Sequence, residues 1–125
     1  MYIMESKSSG CDARSSNVVF ACSGAADVGE LTDLVARKMN KDKVAQMKCL
    51  AFVGAGIPKM IESVKGAKIL VIDGCDLDCV KIVMQKNGLS DFTHLRLSDI
   101  GYKKGSSAPE KQRTDAIYKV ACSLL

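Results

Sequence analysis

Cys75 and Cys79 stand four positions apart in the stretch Ile72-Asp73-Gly74-Cys75-Asp76-Leu77-Asp78-Cys79, directly after an apolar run. Two thiols at that spacing can share a metal ion, form a redox couple, or simply pack. On a helix, β-carbons at i and i+4 lie about 5–6 Å apart. That is wide for a disulfide, which needs roughly 3.5–4.5 Å. It suits two sulfurs on one tetrahedral zinc, which stand roughly 3.8 Å apart when each is about 2.3 Å from the ion. The chain carries six cysteines in 125 residues. In a reducing compartment such cysteines are ligands or reactive thiols more often than a disulfide frame.

The elements that must position these thiols follow from apolar periodicity. Residues 1–17 form a Ser-rich stretch, read as a flexible lead-in to a domain spanning 18–125. Val18 to Cys22 is a short β-branched run ending at Ser23-Gly24, a buried strand. Asp27 and Glu30 make a capping pair for a helix in which Val28, Leu31, Leu34, Val35 and Met39 recur at helical spacing. Val44 to Val53 reads as an extended segment leading through Cys49. Pro58 opens a helix bearing Ile61 and Val64, stopped by Gly66.

Lys68 to Asp73 is an unbroken apolar strand of the kind that parallel sheets bury on both faces. Asp76 is placed to cap a helix carrying Val80, Val83 and Met84, closed by Gly88. Thr93 to Leu97 is a last strand. Ser107-x-x-Glu110, with Pro109 between, opens a terminal helix with the stripe Ile117, Val120, Ala121 and Leu124. Strand and helix thus alternate about four times. The expected architecture is α/β: a three-layer, Rossmann-like sandwich around a mainly parallel sheet of about four strands.

Ligands in open α/β sheets bind beyond the carboxyl ends of the strands. Cys22 ends the first strand, Cys49 ends the second, and Cys75 and Cys79 follow the third. Cys122, near the end of the last helix, and Cys11, before the first strand, belong to the opposite rim. Four cysteines are therefore expected on one rim as a metal site: Cys22, Cys49, Cys75 and Cys79. Zinc is the first candidate and an iron–sulfur cluster the second. The spacing C-x26-C-x25-C-x3-C is not a zinc-ribbon pattern, and small buried thiols near helix starts are a bland alternative.

Four blocks of the chain resemble one family. Val71-Ile72-Asp73-Gly74-Cys75 with Cys79 is similar to the central motif of the DGC-domain family, whose members are grouped as zinc-binding proteins. Cys22-Ser23-Gly24-Ala25, Met47-Lys48-Cys49-Leu50-Ala51 and Asp99-Ile100-Gly101-Tyr102-Lys103-Lys104 resemble its other blocks in the same order. The resemblance implies chelation by the same four cysteines and no assigned biochemical role. One departure is Ala26-Asp27, where the family pattern has Ser-Asn after the first cysteine loop.

Other chemistries fit less well. A cysteine-loop phosphatase needs an Arg six residues after its thiol to hold an oxyanion, and Val28 stands there, beside an Asp27 that would repel one. A redox or sulfur-transfer enzyme is the stronger rival, because thiols at helix starts ionise readily. Asp73, Asp76 and Asp78 around Cys75 oppose it by raising a thiol pKa, although each one singly reads as capping or solvation. Lys103 and Lys104 follow the last strand, where they could offset the charge of a four-thiolate zinc, or form a solvated loop. His94, mid-strand, reads as a surface or packing residue rather than a ligand.

A net charge of +4 without a dense basic run gives no support for nucleic-acid binding. No apolar stretch reaches the 18 or more residues of a membrane span. Charges and serines stand where a signal peptide would place its apolar region. A cytoplasmic metal-binding or sulfur-handling domain is the expectation.

Overall fold

The apolar runs do become a parallel sheet in the computed structural model, which describes residues 17–125. The expectations for the lead-in up to residue 16 and for Cys11 lie outside the described residues. Asn17, assigned above to the lead-in, opens the first strand and pairs with Lys68. Strands β1 (Asn17–Ala21), β2 (Gln46–Met47), β3 (Lys68–Asp73) and β4 (Thr93–Arg96) lie in the order β2-β1-β3-β4, all parallel. Helices α1 (Asp27–Lys41), α2 (Leu50–Gly54), α3 (Pro58–Ser63), α4 (Cys79–Lys86) and α5 (Lys111–Ser123) connect and follow them. The α/β architecture read from the sequence is the one observed.

Strand alternation divides the apolar residues between two cores. Val19, Ala21, Leu70, Ile72 and Leu95 pack with Leu31, Val35 and Met39 of α1 and with Ile117 and Ala121 of α5. Val18, Phe20, Ile69 and Val71 pack with Val53 of α2 and with Val80 and Met84 of α4. Both faces of the sheet are thus buried, which is why β3 needs an apolar run with no alternation.

Several local expectations change. Leu50–Gly54 is helical rather than extended, because Phe52 and Val53 turn inward against Phe20 and its neighbours. Val120 is exposed, and Thr114 takes its place beside Ile117 and Ala121 on the buried face of α5. Leu97 leaves β4 and begins a 3-10 turn, Leu97–Ile100. Three expected caps are also reassigned. No side chain caps α1 or α5: Ala26 and Glu110 hold the two N-cap positions. At α4 the cap position belongs to Asp78 in left-handed conformation (φ 56°), not to Asp76.

The order β2-β1-β3-β4 places a topological switch point between β1 and β3, where connections leave in opposite directions and open a crevice. Two glycines let α1 close on that crevice. A β-carbon on Gly29 would lie 2.6 Å from the Gly24 carbonyl oxygen, and one on Gly74 would lie 2.9 Å from Val28 Cγ2. A β-carbon on Gly54 meets nothing nearer than Val83 Cγ1 at 4.0 Å. Gly29→Ala and Gly74→Ala should therefore each destabilise the protein by about 1–3 kcal/mol through overpacking. Gly54→Ala should be neutral or stabilising by up to about 1 kcal/mol. Urea denaturation of the three variants checks the contrast.

Candidate functional site

Three adjacent strand ends deliver the four cysteines. Backbone pairing continues past the strands: the Cys22 amide donates to Ile72 O (3.0 Å) and the Lys48 amide to Val19 O (3.0 Å). Cys49 then occupies the N-cap position of α2, Cys22 opens the β1–α1 turn, Cys75 lies two residues past β3, and Cys79 is the first residue of α4. Neighbouring strands are about 4.8 Å apart, so the edge strand β2 stands roughly two spacings from β3, with β1 between them.

The thiols differ in surroundings. Cys49 and Cys79 are exposed, while Cys22 and Cys75 are half-buried. Cys22 packs against the α2–α4 core and Cys75 against the α1–α5 core. Cys22 and Cys49 share the wall of an open cavity of about 510 Å³. Burial pushes the Cys22 thiol above its ordinary pKa. Backbone N–H groups of Gly24 and Gly74 oppose that shift, and the charges of Asp73 and Cys79 add to it. Cys122 stands apart, next to Tyr118, whose hydroxyl donates to Asp42 (2.6 Å) just past the end of α1. That is the rim opposite the four.

The β1–α1 turn is held from the first turns of α1. Ser23, left-handed at φ 52°, donates its amide to Thr32 Oγ1 (3.0 Å) and its hydroxyl to Asp33 Oδ1 (2.8 Å). Asp27, whose role the family departure put in question, is a tether. Its carboxylate accepts the amides of Gly105 (2.9 Å) and Ser107 (2.9 Å) from the loop that carries Lys103 and Lys104. These bonds hold its pKa below the usual carboxylate value.

Sequence reasoning missed the polar network beside the cysteines. Asp73, 1% exposed, caps α4 from the end of β3: its oxygens accept the amides of Val80 (2.9 Å) and Lys81 (3.2 Å). His94 is more than a packing residue. Its Nε2 lies 2.8 Å from Asp73 Oδ2, while its ring meets Phe92 edge-on. Arg96 clasps Asp78 through Nε and Nη2 and also reaches Asp99, which depresses the Asp78 pKa. The usable signal was parity: His94 and Arg96 alternate with Leu95, so both point to the face that Asp73 occupies.

Among the described residues, one set of three or more His, Cys, Asp or Glu ligand atoms converges within 4.8 Å: Asp73, Asp78 and His94. The described cysteines form no such set. The Asp73–Asp78–His94 group is already committed, to helix amides on one side and a guanidinium on the other. A divalent cation there would have to displace Arg96 from Asp78 and sit beside it. We read the group as a helix cap braced by ion pairs.

This arrangement is a sheet whose carboxyl edge gathers thiols at a switch point. The DGC domain model matches residues 18–122, so the chain belongs to the DGC-domain family. It is similar to the anaerobic and virulence modulator AnvM of Pseudomonas aeruginosa, with 36% identity over 88 residues, covering 70% of this chain and 67% of that protein. No solved structure matches the chain significantly. Among the described residues, no helix is long and apolar enough to cross a membrane.

Two outcomes test these roles. Asp73→Ala leaves two helix amides and His94 without their acceptor, and should cost about 2–3 kcal/mol. The loss should be the same with and without a chelator, as a cap requires. The Asp27 tether follows the carboxylate. Its folded pKa is depressed, so its contribution is complete above the unfolded value and disappears as pH falls through the folded one. The Gly105 and Ser107 amide resonances should keep their folded positions through the ordinary carboxylate range and move only at lower pH.

Proposed function

We propose that this chain is a metal-binding domain of the reducing cytoplasm in which Cys22, Cys49, Cys75 and Cys79 supply a zinc site. The observation that carries the reading is placement: all four thiols arrive at the carboxyl ends of three consecutive parallel strands, around one switch point. Thiolates are the donors that zinc and iron–sulfur clusters prefer, and a four-cysteine shell is closed, suited to structure or storage rather than hydrolysis. Cys49 and Cys79 are exposed, so neither is pinned by packing.

The raised pKa of Cys22 argues against that thiol as a redox nucleophile. A redox nucleophile needs its thiolate at neutral pH, whereas burial here works against ionisation. A metal cation supplies the missing stabilisation, since coordination drives the proton off.

Untagged protein purified under reducing conditions should carry about one zinc per chain. Cys75→Ser and Cys79→Ser should each cut metal content sharply, with Cys122→Ser unchanged. Brown colour with visible absorption would replace zinc by an iron–sulfur cluster at the same residues. Protein that takes up neither metal would overturn the reading. The fully buried residues of both cores include no cysteine, so chelation should lower the melting temperature without unfolding the sheet.

A further inference from the structure

The cavity beside Cys22 and Cys49 has features that a metal site does not require. It is open, about 510 Å³ in volume, and lies over the end of β2 between α1, α2 and α4. Ligand pockets commonly span about 300–1,000 Å³, with mostly apolar walls and a few polar groups. Here Met47, Leu50, Ala51 and Val83 supply apolar wall.

The charged lining is Asp33, Arg37 and Lys48. Two of these cancel: Asp33 Oδ2 lies 2.6 Å from Arg37 Nε, and its other oxygen accepts the Ser23 hydroxyl. Lys48 is half-buried, and no carboxylate lies within ion-pair distance of its ammonium among the described residues. The cavity therefore presents one uncompensated positive charge beside an apolar wall. That combination selects a ligand with one negative charge and a hydrocarbon body.

We propose that this cavity binds a short aliphatic monocarboxylate, with Lys48 holding the carboxylate and Met47, Leu50, Ala51 and Val83 enclosing the chain. The site shares Cys22 and Cys49 with the metal reading but does not rest on it, because the recognition elements are Lys48 and the apolar wall. A dicarboxylate would bring a second charge for which the cavity wall has no further unpaired cation among the described residues, since Arg37 pairs with Asp33. A neutral amide of the same length would leave Lys48 unpaired.

The test is titration of the metal-free full chain with hexanoate, followed by amide resonances. Saturable shifts are expected at Lys48, Leu50, Ala51 and Val83. Hexanamide should bind at least about tenfold more weakly, the size of one charge-assisted hydrogen bond. Lys48→Met, with an unchanged melting curve, should weaken hexanoate by about the same factor. Cys75→Ser should lose zinc yet keep hexanoate binding, so the two readings fail separately. Equal binding of hexanoate and hexanamide, wild-type hexanoate affinity in Lys48→Met, or no shift at the cavity would each overturn the proposal.

Discussion

The carboxyl edge of this sheet depends on how closely the first turn of α1 lies against two loops. A methyl group on Gly29 or Gly74 would occupy space already held by the Gly24 backbone or by Val28. With α1 at that distance, Thr32 and Asp33 reach Ser23, and the β1–α1 turn is fixed. Gly24 and Gly74 can then both offer N–H groups to the same thiol, Cys22. Were α1 to stand off by the width of a methyl group, those contacts would lengthen together. Helix packing and site geometry are one constraint here.

Four of the carboxylates near the cysteines are committed to the fold. Asp73 caps α4, Asp78 is clasped by Arg96, Asp27 ties down the 105–107 loop, and Asp33 joins Ser23 to Arg37. Each has a donor, so the strong electrostatics of this edge organise backbone. The soft donors are left over: two of the four thiols are exposed. That division, with hard oxygens bound into the architecture and sulfurs left outside it, is the chemical basis of the proposed site.

Much of this was readable from residue types. The apolar run Lys68–Asp73 coincides with β3, and the helical spacing from Val28 to Met39 marks the buried face of α1. Those signals are strong because both faces of the sheet are covered and a misplaced polar residue would be costly. The caps were misread because capping patterns assume a local partner. Asp27 finds its partners 78 and 80 residues away, and Asp73 caps a helix from the end of a strand. The Leu50–Gly54 helix escaped notice because a short apolar run has no period to read. His94 was undervalued for the same reason as Asp27, since its partner is a strand away.

Strand β2 has two residues and lies at the edge of the sheet. Such brevity protects an edge from pairing with another chain. It also means that Gln46 to Cys49 is held by few bonds: the short pairing with Val18 and Val19, the Asn40 side chain at the Met47 amide, and the Lys48 amide on Val19. The five-residue register between β1 and β3 does not involve it. Opening this segment costs far less than global unfolding, as local openings of thinly bonded elements do. Cys49 therefore sits at the most thinly bonded corner of this edge, where a local opening would move it without disturbing the β1–β3 pairing.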